Sequence, residues 1–493
     1  MGAYQEYVAV DLGASNGRTI LGRFDGEKVM LSELNRFENN YVNTAEGYYW
    51  DVLTLYTQIL SGLRCYVKNG GTSLVGMGID TWGVDFGLID RQGKLIGNPG
   101  AYRDPRGARG RKAFHSKYGE RMAFDRTGIS NMDFNTLYQL YDMAQRSDPH
   151  LEIADKLLLM PDLLGYMLSG VMSTEYTNAA TTQMLDYRNK TWSGGILTAA
   201  GLSSGLFTDI QMSGEEKGKL LPLIQQEAGL VNTAKVFCVG SHDTASAIAS
   251  VPAGTENFAF LSSGTWSLIG ILTPTAITGD FVFENGFSNE GACRGGVQLL
   301  RNIMGLWIIQ NCKREWDKTE ILTWDDIVEA ARLSAAFGSF IDVNADDFYS
   351  GDNTPQKIQE YCKTTGQSVP GTMGQIARCV FESLAMDYKE AFLGLEKLKG
   401  GRIDVLHIVG GGSKNALLNQ FAANAIGREV IAGPAEATAI GNVMLQVKAS
   451  GGVTDMSQMR QVIGNSFETR SFEPQEPGVW EEQYQKYRQI IKR

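Results

Sequence analysis

Tyr7-Val8-Ala9-Val10-Asp11-Leu12-Gly13-Ala14-Ser15-Asn16-Gly17-Arg18 is an apolar strand running into a small polar turn. Thr19-Ile20-Leu21-Gly22-Arg23-Phe24 carries a second strand out of it, Asp25-Gly26 turns the chain, and residues 29–37 make a third. Asp-Gly between two apolar runs is a strong hairpin signal, because the turn needs positive φ at its central residues. The first turn, residues 13–17, has no large side chain to keep a ligand from its backbone. Its N–H groups can therefore approach a phosphate closely. The same five residues spell the G-x-S-x-G of a hydrolase nucleophile elbow. An elbow lies between a strand and a helix, after earlier strands have supplied the oxyanion loop. Here residues 18–24 continue as a strand, so a phosphate loop or an ordinary hairpin turn remains.

Working outward, Leu53, Tyr56, Leu60, Leu63 and Val67 recur at three- and four-residue spacing and predict an amphipathic helix over 50–69. A short strand at 75–79 leads into Asp80-Thr81-Trp82-Gly83-Val84-Asp85-Phe86. Three antiparallel strands, a helix and a further strand make one α/β unit. The theme restarts near residue 257, with strands at 257–261 and 266–272 around Ser262-Ser263-Gly264-Thr265. Residues 250–256 read as the linker, where Val251-Pro252-Ala253-Gly254 interrupts regular structure. Late in the chain, Val405-Leu406-His407-Ile408-Val409 runs into Gly410-Gly411-Gly412-Ser413, and 414–426 reads as a helix with Ser413 as its cap. Such a corner either binds an anion at the helix start or merely lets the helix pack closely on the sheet. No Walker A and no G-x-G-x-x-G pattern occurs, which argues against P-loop and Rossmann folds.

The chain has 493 residues, enough for about two or three domains. It is 43% hydrophobic and 20% charged, the balance of a globular protein. A net charge of −10 argues against a nucleic-acid partner, which needs basic surface. No apolar run reaches the length of about 18 residues that a membrane span requires. Met1-Gly2-Ala3-Tyr4-Gln5-Glu6 lacks a leader pattern, and Glu6 stands where myristoylation wants Ser or Thr. A cytoplasmic protein without a membrane partner is expected. Six scattered cysteines and four histidines show no zinc spacing. Cys362 and Cys379 could meet across a loop, with free thiols the expectation in a reducing compartment.

Asp243 stands out in Ser241-His242-Asp243-Thr244-Ala245, where a strand at 235–239 gives way to a helix. It reads either as a helix cap or as a base placed at a strand end. The helix terminus would lower its pKa. Trp82, Phe86 and Trp307 read as core residues, with Trp82 also placed where an apolar wall for a ligand could stand.

The opening hairpin resembles that of the sugar-kinase, heat-shock-protein and actin group of ATPases. The ordered set of motifs resembles the FGGY carbohydrate kinases, and among them the rhamnulokinases. It comprises residues 11–18, 80–86, Ala101-Tyr102-Arg103-Asp104, 241–247, Leu261-Ser262-Ser263-Gly264-Thr265-Trp266-Ser267-Leu268, Asn302-Ile303-Met304-Gly305-Leu306-Trp307 and 407–412. The resemblance implies two ribonuclease-H-like α/β domains with a cleft between them. Residues 1–250 would bind sugar, and 251–493, ending in a helical tail, would bind ATP. It implies ATP-dependent phosphorylation of a ketose at O1, L-rhamnulose first and L-fuculose as the rival; an actin-like scaffold without catalysis is the alternative from another class. By the same resemblance Asp243 is the proton acceptor, and Gly83, His242, Thr244 and Asn302 contact the sugar. Ala14, Ser15, Asn16, Gly17 and Arg18 form the first phosphate loop, and Thr265, Gln310 and Gly411 hold ATP. Asp11, beside the triphosphate position, suits a water-mediated Mg²⁺. Asn16 departs from the hydroxyl residue expected there, though its amide can still donate to phosphate. A monomer or small homo-oligomer is expected.

Overall fold

The computed structural model describes residues 4–491. Met1-Gly2-Ala3, part of the stretch read for a leader and for myristoylation, lie outside the described residues. The chain forms two compact units. The first comprises Met1–Pro252, Leu272–Leu299 and Ala437–Ser466, and the second Ala253–Ile271, Leu300–Glu436 and Phe467–Arg493. Two later segments thus return to the first unit, where a single division near residue 250 was expected.

The first unit is built on strands β1 (Gln5–Leu12), β2 (Asn16–Phe24), β3 (Val29–Glu38), β4 (Leu74–Thr81), β5 (Glu216–Lys219) and β6 (Lys235–Phe237), in the order β5-β6-β4-β1-β2-β3. β1, β2 and β3 form an antiparallel meander, β4 lies parallel to β1, and β6 lies parallel to β4. At the β2–β3 turn Gly26 has φ +105°, and Asp25 Oδ1 accepts from the N–H groups of Glu27 and Lys28. The predicted helix spans Val52–Lys68, started by Asp51, whose side chain accepts from Thr54 N–H. Its inward stripe is Val52, Leu55, Ile59, Leu63 and Tyr66, while Leu53 faces solvent. The stripe is rotated relative to the one read from Leu53 and Tyr56, because Val52 and Tyr66 complete the buried face. That face meets Val8, Val10, Leu12, Met77 and Ile79 in one core. Each large side chain buried this way contributes roughly 1.5–3 kcal/mol.

The helix Ala437–Ala449 explains why a late segment belongs to this unit. Gln446 Nε2 donates to Val8 O at 3.0 Å, and Asn442 Nδ2 donates to Gly78 O at 3.2 Å and to Asp80 Oδ2 at 2.5 Å. Gly22 and Gly441 give it room: a Cβ on the first would overlap Val443, and one on the second the carbonyl of Ser246.

The second unit carries β7 (Phe258–Ser263), β8 (Ser267–Thr273), β9 (Val405–Val409), β10 (Glu429–Ala432) and β11 (Arg470–Phe472), in the order β8-β7-β9-β10-β11. β7 and β8 are an antiparallel hairpin and β9 runs parallel to β7. The arrangement β8-β7-β9 therefore repeats β2-β1-β4, as the restart near residue 257 led one to expect. The final helix, Pro477–Ile491, buries Trp480, Tyr484 and Tyr487, with Trp480 against Phe337 and Phe421. Cys362 and Cys379 meet as buried free thiols. No helix among the described residues is long and apolar enough to cross a membrane.

Candidate active site

Three parallel neighbours in the first sheet end side by side; two carry an acid near their ends, and the loop after the third leads to Asp243 at a helix start. Asp11 and Asp80 are register partners across β1 and β4. One residue on, Thr81 pairs with His242, its N–H donating to Ser241 O at 2.9 Å. Asp11, Asp80 and Asp243 are thereby gathered at the carboxyl ends of the strands, the usual ligand position in α/β sheets. Arg18 lies opposite Asp11 in the hairpin register, and its Nε and Nη2 donate to Asp11 Oδ2 at 3.0 and 2.8 Å. Burial first, and then the charge of Asp11, hold the Asp80 carboxyl well above the usual range. Asp80 was quoted in a motif but given no role from sequence. Its signal was the strand end it shares with Asp11.

The turn between β1 and β2 is fastened from behind. Gly13 N–H donates to Asn16 O at 2.8 Å, Asn39 Nδ2 to Gly13 O at 2.7 Å, and Asn39 N–H to Ser15 O at 3.1 Å. These bonds engage carbonyls, while Ser15 and Asn16 stand exposed and Ala14 is half-buried. Gly17 is glycine for a packing reason, since Phe37 and Leu12 leave no room for a Cβ.

Asp243 is the first residue of the helix Asp243–Ala249, with His242 at the cap position. Asp243 Oδ1 accepts from Thr244 N–H at 2.6 Å and from Thr244 Oγ1 at 3.2 Å. The lowered pKa expected from the helix terminus is corrected by the structure. Loss of surrounding water raises it, the His242 charge pulls it down, and Asp11 pushes it up again, with a net rise. The side chain still keeps 34% of its surface open. His242 Nε2 lies 3.5 Å from Asp243 Oδ1, and Nδ1 lies 3.3 Å from Glu290 Oε2. Beneath this loop is Glu175, unforeseen in the sequence. Its Oε2 accepts from Ser241 N–H at 3.2 Å, Thr177 N–H at 2.8 Å and Thr177 Oγ1 at 2.6 Å. Burial pushes its carboxyl up to about 7.

Gly83 follows β4 and packs on Thr181, which accepts from Val84 N–H at 3.1 Å. Val84 is held at φ +70°, an uncommon conformation for a β-branched residue. The anchor of this turn is Asp85. It accepts from Trp50 Nε1 at 2.6 Å, Trp82 Nε1 at 2.9 Å, Tyr102 N–H at 3.1 Å and Gln139 Nε2 at 3.3 Å. Burial pushes the Asp85 carboxyl up to about 6. Trp82 is 6% exposed and its ring lies 4.2 Å from that of Trp50, so it serves the core.

Thr265, Asn302, Gln310 and Gly411 belong to the second unit. Thr265 Oγ1 and Gln310 Oε1 are 3.3 Å apart, joining two of the nucleotide candidates. Asn302 is half-buried on the strand Val297–Ile303. In the glycine triplet, Gly410 has φ +85° and Gly412 leaves no space beside Ser263, whereas Gly411 is exposed with open space where a Cβ would stand. The helix after it spans Ala416–Ile426 and is capped by Asn415, which accepts from Leu418 N–H. Ser413, expected as the cap, instead donates from Oγ to Gly410 O, because a 3₁₀ turn at Gly411–Lys414 intervenes.

The profile of the N-terminal domain of the FGGY family of carbohydrate kinases matches residues 6–249, and that of its C-terminal domain residues 259–450. A rhamnulokinase of Bacteroides thetaiotaomicron is 43% identical over 488 residues, 99% of this chain and 100% of that protein. One from Bacillus subtilis is 36% identical over 470 residues, 95% and 96% of the two chains. Among solved structures, gluconate kinase from Lactobacillus acidophilus superposes with a TM-score of 0.83 at 14% identity, covering 99% of this chain and 98% of that one. Plasmodium falciparum glycerol kinase with ADP gives 0.78 at 15% identity, covering 100% and 98%. Those two share the two-domain α/β fold. With both domain profiles matched, and with full-length relatives above the level at which a family is shared, the chain belongs to the FGGY family of carbohydrate kinases.

Proposed function

We propose that this kinase transfers the γ-phosphoryl group of ATP to O1 of L-rhamnulose, forming L-rhamnulose 1-phosphate in L-rhamnose breakdown. The observation that carries the reading is Asp243, an open-sided carboxylate of raised pKa at the strand ends that also bear Asp11 and the 13–18 turn. Phosphoryl transfer asks the protein mainly to position groups and to neutralise charge. Asp243 takes the proton of the attacking hydroxyl, with Thr244, His242 and Gly83 orienting the sugar and Asn302 assigned to it from the second unit. Ala14, Ser15, Asn16, Gly17 and Arg18 cradle phosphate, and Thr265, Gln310 and the open Gly411 receive the nucleotide. Mg²⁺ typically takes one or two carboxylates together with waters and phosphate oxygens. The single carboxylate of Asp11 fits that donor set, although no cluster of three or more acids, histidines or cysteines among the described residues could hold a metal alone. When bound, the ion would neutralise charge building on the phosphates. The sugar assignment is supported by the relatives named rhamnulokinase. We place the enzyme in the cytoplasm, as a monomer or small homo-oligomer without nucleic-acid or membrane partners.

The test is sugar-dependent ADP release with L-rhamnulose, L-fuculose and L-ribulose. L-Rhamnulose and L-fuculose share the C6 methyl and differ in configuration at C4. A site of polar groups aimed at one hydroxyl separates such epimers far better than the 1–3 kcal/mol that a methyl gives. The expected result is the highest kcat/KM with L-rhamnulose. A higher value with L-fuculose reassigns the sugar, and no release with any sugar leaves the scaffold reading.

A further inference from the structure

Glu290 lies on the strand Phe287–Gly291, within the segment Leu272–Leu299 that belongs to the first unit. The strand is buried along its length, and a carboxylate in such surroundings requires a partner. Glu290 Oε2 accepts from Gln298 Nε2 at 3.5 Å and lies 3.3 Å from His242 Nδ1. The opposite ring nitrogen, Nε2, lies 3.5 Å from Asp243 Oδ1. Glu290 and Asp243 thus flank the imidazole, one at each ring nitrogen. His242 is held from its backbone as well, where its N–H donates to Thr177 Oγ1 at 3.2 Å.

We propose that Glu290 is a positioning residue for phosphoryl transfer: through the His242 ring it fixes Nε2 toward Asp243 and keeps a positive charge beside that carboxylate. The proposal rests on the reading of Asp243 as the proton acceptor. The ionisable groups facing the ring are Glu290, Asp243 and Glu175. Burial alone would strip the imidazole of its proton. Glu290, its carboxylate 3.3 Å from Nδ1, outweighs that loss, Asp243 and Glu175 add to it, and the His242 pKa ends above the ordinary 6.5. The resulting cation draws the Asp243 pKa down against the desolvation that raises it. Glu290 itself exchanges no proton in the reaction. Asp243 gains the hydroxyl proton as the O1–phosphorus bond forms and the bond to ADP breaks.

The test uses Glu290→Gln in the full chain, which keeps shape and removes charge. The His242 Cε1–H resonance, one of four histidine signals and assigned with His242→Gln, is followed through a pH titration by NMR. In Glu290→Gln the His242 midpoint falls, kcat drops roughly 10–100-fold, and KM for ATP holds. The acid limb of kcat/KM moves to higher pH, because Asp243 has lost its cationic neighbour. Glu290→Asp retains a midpoint closer to that of the parent. An unchanged midpoint and acid limb in a variant that melts normally overturns the proposal. Should Glu290→Gln not fold, the parent protein decides: a His242 midpoint at or below 6.5 overturns it, and one above sustains it. Asp243→Asn separates the two readings. If that variant stays active the base assignment fails, while the His242 titration still reports whether Glu290 holds the ring.

Discussion

Asp243 must reach the reaction ionised, and its surroundings pull both ways. Burial and Asp11 favour the protonated acid, and His242 and the Thr244 donors favour the carboxylate. The folded-state pKa lies above 3.8, so activity is lost as pH falls through that raised value and returns above it. A pH profile of kcat/KM should show its acid limb displaced upward from an ordinary aspartate. Asp243→Asn should lower kcat by roughly 10²–10⁴ while nucleotide affinity by calorimetric titration survives. Near-normal turnover would leave Asp243 only its place at a helix start. Asp11 was legible near the end of an apolar strand, and Asp243 at the helix start that follows one, places where a polar residue has a functional reason to sit. Glu290 was not, since nothing in its neighbourhood announces that the ring it faces lies on a different loop.

The hairpins were readable one by one. Asp25-Gly26 names its own turn chemistry, and the recurrence of a strand, small turn and strand near residue 257 announces the second hairpin. Caps were read less well. Ser413 satisfied the rule for a cap, yet a 3₁₀ turn put Asn415 in that place. The one glycine of the helix Ala437–Ala449 carried a message that periodicity does not encode. A Cβ at Gly441 would overlap the carbonyl of Ser246, which lies on the helix led by Asp243. Gly441→Val should therefore cost about 1–3 kcal/mol or more, read as a lower melting temperature. It should also reduce kcat in the surviving folded protein, because the displaced helix carries the base. A variant with parental melting and turnover would show that the two helices can separate at no cost.

At the scale of the molecule, the first unit is discontinuous. Leu272–Leu299 brings Glu290 to it and Ala437–Ser466 brings Asn442 and Gln446. No local pattern says on which sheet a helix will dock, so the sequence suggested a cut at 250 and concealed the returns. A fragment of residues 1–252 should fail to give the cooperative melt and protease resistance of the full chain, its sheet having lost a covering helix. A stable, cooperatively melting fragment would refute that dependence.

The bond between Asn442 and Asp80 spans 362 residues of chain. At about 5–20 residues per second, a ribosome needs roughly 20–70 s to make that stretch. For that interval Asp80, already translated, waits for the amide that will hold it. Every nascent chain cut short before Asn442 lacks the amide that Asp80 accepts from. The strand end that carries Asp80 is thus fastened by a helix made only late in synthesis.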